Sequence, residues 1–295
     1  NWSGFTGTLI MQSGRGGWAT GISSTNANYI VNTTNAQVFL GAGTYTLGSL
    51  AGTGVISGNA NTAVLAVGYN GSNTVWGGNI WSNNTGNIGL TKMGAGTMAI
   101  TGTNTYIGNT VVSNGVLALG TNGATGRIAN STNIIVSGSG VFAINRSNAV
   151  IQGTDFTVNP IIGTGGFAQI GSGTTTLTAA NTYSGDTMVS AGALVLSNAL
   201  AIQNSALNLS GGTISFSSNI SSTSFGGLKG SGNLALTNSA GGTIALTLSN
   251  TAASAAIYSG NLGGSGGLIL IGSGTQTLSG NNSYSGGTAL NAGTL

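Results

Sequence analysis

Along most of the chain, apolar side chains alternate with Thr, Ser or Asn for a few residues and then give way to Gly, Asn or Ser. Residues 97–101 (TMAIT), 174–178 (TTTLT) and 274–278 (GTQTL) show the pattern. A period of two in β-branched sequence, bounded by turn formers, predicts short strands. The nearest approach to an amphipathic helix, at 198–209, is Ala-rich but interrupted. Gly costs about 1 kcal/mol at a helical site and Asn competes for backbone bonds. The pattern predicts an all-β chain with no significant helix.

Self-similarity sharpens this. One motif occurs three times: GLTKMGAGTMAITGTNTYIGNTVVSNGVLAL at 89–119, GFAQIGSGTTTLTAANTYSGDTMVSAGALVL at 166–196 and GLILIGSGTQTLSGNNSYSGGTALNAGTL at 267–295. Each reads G-[AS]-G-T, an alternating stretch, Asn-x-Tyr, Gly, a short Ala/Asn-Gly turn and an apolar strand. The copies lie 77 and 101 residues apart, and the sum, 178, is itself a repeat distance: GSLAGTGV at 48–55 matches GGLKGSGN at 226–233. A long unit of about 178 residues therefore recurs, and 1–295 is expected to be one continuous segment of a longer repeat protein. The opening Asn1-Trp2-Ser3 and the ending inside a motif agree with that expectation.

Short strands with Gly/Asn turns fit sandwiches, propellers and solenoids. Sandwiches rarely repeat internally, and propeller blades recur at constant spacing. A parallel β-solenoid accepts unequal spacing, because coils insert anywhere along the stack. With coils of roughly 20–25 residues, the chain makes about 13, a stack on the order of 60 Å at ~4.8 Å per coil.

Composition narrows the chemistry. Of 295 residues only seven are charged: Arg15, Lys92, Arg127, Arg146, Lys229, Asp155 and Asp186. Such 2% charge compares with about 25% in a typical soluble domain. His and Cys are absent, which removes imidazole bases, thiolates, disulfides and Cys/His metal sites. Five scattered cations form no basic patch, so no nucleic-acid partner is expected. No apolar run reaches the length of a membrane span. In a solenoid, like positions stack, so like charges would repel where Asn, Thr and Ser hydrogen-bond.

The motif LTKMGAGTMAITGTNTYIGNTVVSNGVL at 90–117, with the copies beginning at Phe167 and Leu268, resembles the autotransporter-associated β-strand repeat, also called the passenger-associated transport repeat. The segment following Asn198 resembles the sequence between such repeats in very large surface proteins. The resemblance implies a right-handed parallel β-helix, extracellular or on a bacterial cell surface.

Several residues invite functional readings. Asp155 and Asp186 are 31 residues apart, within reach across coils, and paired carboxylates hydrolyse glycosides. Neither has a basic or acidic neighbour nearby in sequence, and Asp186 stands where the sister copies carry Asn109 and Gly287. A corner role is favoured over catalysis. Gly163-Thr-Gly-Gly-Phe-Ala168 imitates a dinucleotide fingerprint but precedes no helix. Gly263–Gly266 lacks the Asp of a calcium roll. Tyr106, Tyr183 and Tyr284 read as corner packing or as a sugar platform. Trp2, Trp18, Trp76 and Trp81 read as core or as an aromatic seam. No catalytic residue, cofactor or metal ligand is assigned, and no enzyme is expected. The expected function is a structural fibre, filament or surface layer that associates with itself. The alternatives are an autotransporter passenger acting as adhesin or adhesin spacer, with glycans as partners, and, more distantly, a polysaccharide-degrading enzyme.

Overall fold

The structure, a computed structural model, describes residues 2–19, 22–58, 62–82, 87–250 and 256–295. Within these the chain is all-β, without α-helix, and its strands stack in parallel as a β-solenoid of about 13 coils. Among the described residues every paired strand is parallel, and an isolated bridge between Thr237 and Thr243 is antiparallel. No helix among them is long and apolar enough to cross a membrane. Two compact units form, Asn1–Arg146 with Gly153–Asn159, and Ser147–Gln152 with Pro160–Leu295.

In the first unit, three ladders define the faces of a coil. One joins Gly43–Gly52, Ala63–Val67, Ile88–Lys92, Thr110–Val112 and Ile134–Val136. A second joins Thr74–Trp76, Thr97–Ile100, Val116–Gly123 and Val141–Arg146. The third joins Gly14–Trp18, Ala36–Leu40, Val55–Gly58 and Asn79–Trp81. Alternation is read out as burial: in Ala36–Leu40 the first, third and fifth side chains are buried.

The second unit repeats the plan. Gly166–Gln169, Thr187–Val189, Ala206–Leu209, Gly227–Gly230, Ala256–Tyr258 and Gln276–Leu278 form one ladder. Val150–Ile151, Thr174–Leu177, Ala193–Leu196 and Thr213–Phe216 form another. Ser222–Phe225, Ala245–Leu248, Gly267–Leu270 and Thr288–Leu290 form a third.

The repeated motif turns out to be a coil and a half that pairs with itself. In the first copy Leu90 faces Thr110 and Thr97 faces Val116. In the second, Phe167 faces Thr187 and Thr174 faces Ala193. In the third, Leu268 faces Thr288 and Thr275 bridges Thr294. Within the second unit the second and third copies open on different faces. Gly166–Gln169 opens the second copy on the ladder that holds Gln276–Leu278, whereas Gly267–Leu270 opens the third on a neighbouring ladder. The motif dictates how one coil meets the next, not which face it starts on.

The turn before each last strand needs glycine. Gly115, Gly192 and Gly293 hold φ of 62°, 57° and 74°, the left-handed region that side chains rarely enter. A Cβ on Gly115 would lie 2.4 Å from the Gly96 carbonyl oxygen of the coil beneath.

Candidate functional site

The recurring Asn-x-Tyr element is the natural place to look for chemistry, and in all three copies its polar atoms bond to the coil beneath. Asn104 Oδ1 accepts the Ile80 backbone N–H at 2.8 Å. Asn181 Oδ1 accepts that of Ile161 at 2.8 Å, and Asn282 Oδ1 that of Leu262 at 2.9 Å. Asn104 and Asn181 are buried. Each takes a further donor: the Trp76 indole N–H at 3.2 Å for Asn104, the Gln152 Nε2 at 2.9 Å for Asn181.

Two of the three tyrosines point inward, and Tyr284 is half-buried. Tyr106 and Tyr183 are about 1% exposed, so neither is a platform for sugars. Tyr106 Oη meets Thr110 Oγ1 at 2.6 Å, which meets Ser131 Oγ at 2.8 Å. Tyr183, Thr187 and Ser205 repeat the chain with both contacts at 2.7 Å, and Ser205 Oγ donates on to the Gly185 carbonyl. Tyr284 meets Thr288 at 2.6 Å. Burial raises the pKa of Tyr106 and Tyr183 well above the ordinary phenol value. Buried polar groups hold their places only when hydrogen-bonded, and these chains run from coil to coil. The constant Tyr-x-x-x-Thr spacing in all three copies was the sequence signal for them.

The last residue of the opening strand differs among copies: Lys92, Gln169 and Leu270. All three are buried. The Lys92 ammonium donates to the carbonyls of Met93, Gly94 and Asn114 at 2.5, 2.8 and 3.3 Å. Gln169 Nε2 donates to Gly171 and Gly173, and its Oε1 accepts from Thr175. Loss of hydration lowers the Lys92 pKa to about 8.

The two carboxylates fall in different units, and each meets a cation within its own unit. Arg146 Nη1 donates to Asp155 Oδ1 at 2.9 Å and to the Gly126 carbonyl at 3.0 Å. Lys229 Nζ reaches both oxygens of Asp186 at 2.9 and 3.0 Å. Sequence reasoning missed both pairs. Arg146 lies nine residues before Asp155 yet meets it by chain reversal, and Lys229 reaches over the intervening coil at Ala206. That pair lies in a groove of about 520 Å³ lined by Ser184, Asn204, Gly226 and Ser249 among others. Asn109, at the Asp186 position of the first copy, lines a smaller groove of about 260 Å³ beside Asn87 and Gly108. Among the described residues no three acidic, His or Cys side chains gather.

The tryptophans are not a set of exposed rings, and Trp81 is half-buried. Trp76 is fully buried and Trp18 nearly so, packed on Tyr29 with ring centroids 5.4 Å apart. Trp2 is 38% exposed and packs edge-on to Phe5. The fingerprint-like 163–168 is a strand–turn–strand, with Ile162–Gly163 and Gly166–Gln169 on either side.

Comparison with known proteins agrees with this geometry. The passenger-associated transport repeat matches residues 90–119, 167–196 and 264–295. The "Adhesin BmaC autotransporter" of Brucella suis biovar 1 (strain 1330) is 33% identical over 174 residues, 49% of this chain and 5% of that protein. An "Extracellular serine protease" of Serratia marcescens is 46% identical over 76 residues, 25% of this chain and 7% of that protein, and a second protein of that name and organism is 46% identical over 68 residues. The chain thus spans only about a twentieth of the length of the curated relatives it matches. No solved structure matches it. These likenesses indicate a secreted or cell-surface location. Three stretches of the chain are thus similar to the passenger-associated transport repeat, and each folds as a self-paired coil and a half of a parallel β-solenoid.

Proposed function

We propose that this chain is a structural, non-catalytic segment of an extracellular protein, which stacks coil on coil and packs its charge-poor flanks against further copies in a fibre or surface layer. The observation that carries the reading is the Asn-x-Tyr element. Its recurring side chains bond to neighbouring coils, as in Tyr183–Thr187–Ser205, and leave little for a ligand. In this reading the two units are successive stretches of one repeat array.

Two further facts support it. The chain contains no His, so a Ser-His-Asp triad cannot be assembled from it, whatever the Serratia marcescens proteins do elsewhere in their length. With seven charges in 295 residues, little electrostatic repulsion opposes lateral contact between copies. Sedimentation over a concentration series tests this: mass should grow with concentration and change little between low and high salt. A monomer at every concentration would refute self-association.

A second reading, adhesin or adhesin spacer, rests on the likeness to the Brucella suis protein. Retention of the chain on immobilised cell-surface glycans would favour it.

A further inference from the structure

Three Asn-Gly dipeptides occur in the chain: Asn70-Gly71, Asn114-Gly115 and Asn122-Gly123. Their surroundings differ. The Gly71 N–H donates to the Gly68 carbonyl at 3.0 Å, and Asn70 Oδ1 accepts from Ser72 N at 3.1 Å, so that carboxamide is drawn one residue past its own glycine. Asn122 itself holds the left-handed conformation, φ 63°. At Asn114 the carboxamide folds back on the very next peptide group: the Gly115 N–H donates to Asn114 Oδ1 at 2.7 Å. From the adjacent coil Ser139 Oγ donates to the same oxygen at 2.6 Å. Asn114 and Gly115 are both partly solvent-accessible.

We propose that Asn114 is a self-modification site, at which the Gly115 backbone nitrogen attacks the Asn114 carboxamide to give a succinimide that water opens to aspartate or isoaspartate. Hydroxide removes the Gly115 amide proton. The nitrogen then bonds to the carboxamide carbon, and Oδ1 takes up negative charge facing the Ser139 hydroxyl. A preorganised donor aimed at a developing oxyanion lowers such a barrier, and the held approach lowers its entropic part. The bond to Nδ2 breaks and ammonia leaves with a proton from water. Water then adds to either imide carbonyl and breaks that carbon's bond to the Gly115 nitrogen, which leaves a new carboxylate and one amide link, and no oxidant or reductant is needed.

The fold keeps the site in place. Gly115 is obligatory, since a Cβ would strike the Gly94 and Gly96 carbonyl oxygens at 2.5 and 2.4 Å. Asn114 is not: the sister copies carry Ala191 and Ala292 before Gly192 and Gly293. The product adds an acid to a chain that has two. Isoaspartate also lengthens the main chain where the Asn114 carbonyl accepts a bond from buried Lys92.

The test is to age the purified chain at mildly alkaline pH and follow the three dipeptides by proteolysis and mass spectrometry. Asn114 should convert first, several-fold ahead of Asn70 and Asn122, and more slowly in Ser139→Ala. Asn114→Ala, which the sister copies show the turn accepts, should remove the first acidic species seen on isoelectric focusing. Conversion at Asn70 or Asn122 ahead of Asn114, or an Asn114 rate unchanged by Ser139→Ala, would overturn the proposal.

Discussion

Asn181 Oδ1 lies 2.8 Å from the backbone nitrogen of Ile161, one coil beneath it, and Asn104 holds Ile80 at the same distance. One side-chain oxygen thus replaces the ladder bond that a corner would otherwise lose. Asn181 is fully buried, and its Nδ2 also donates to the Ala201 carbonyl on the coil above at 3.0 Å. Asn181→Ala should therefore destabilise the chain by about 1–3 kcal/mol or more, because it orphans buried groups on two coils. Asn282 is exposed, and Asn282→Ala should cost distinctly less. Urea unfolding of the two variants makes the comparison.

The hydroxyl chains should show an asymmetry. Tyr183→Phe removes a terminal donor and leaves Thr187 and Ser205 bonded to each other. Thr187→Val strands the Tyr183 hydroxyl in a buried site. The first should cost about 0.5–1.5 kcal/mol and the second about twice that, although both delete one hydroxyl. Equal losses in thermal unfolding would contradict the chain as drawn.

Lys92 predicts a specific dependence on pH. Its folded pKa is lowered to about 8 from 10.5, so the folded state releases the proton first. Between those values the unfolded chain binds more protons, and stability from this group rises with pH. At neutral pH the buried charge costs up to about 3 kcal/mol, by the shift alone. Lys92→Gln, the residue used at Gln169, should stabilise the chain at pH 7, with the gain shrinking to little above pH 10.5. Melting temperatures of the two forms across this range give the answer.

The buried tyrosines work in the opposite sense. Their pKa values are raised, with Tyr258 pushed up to about 12 by burial, so above pH 10 the unfolded chain ionises first. Stability from these groups is full below pH 10 and falls as pH rises past it. An ultraviolet titration of the native chain should show phenols that ionise only together with unfolding.

Much of this architecture is legible in the residues. Period-two stretches such as 174–178 are strands, the Ala/Asn-Gly turns bend where Gly192 has positive φ, and the corner reading of Tyr183 agrees with its burial. What the residues hide is which coil meets which. Val189 faces Leu209 twenty residues on, whereas Gly230 faces Tyr258 twenty-eight residues on. Loop length between strands varies with little trace in a Gly/Asn/Ser composition. Contacts that depend on it, such as Lys229 with Asp186, could not be read in advance. Lys92 was equally hidden, because a lone Lys in an apolar stretch does not announce three carbonyls from the turns around it.

Electron microscopy with diffraction from the purified chain at neutral pH tests the central claim most directly. The account predicts laterally packed assemblies with a strand repeat of about 4.8 Å along the stack, unchanged by added salt. Dispersed, unassociated particles at every concentration would contradict it.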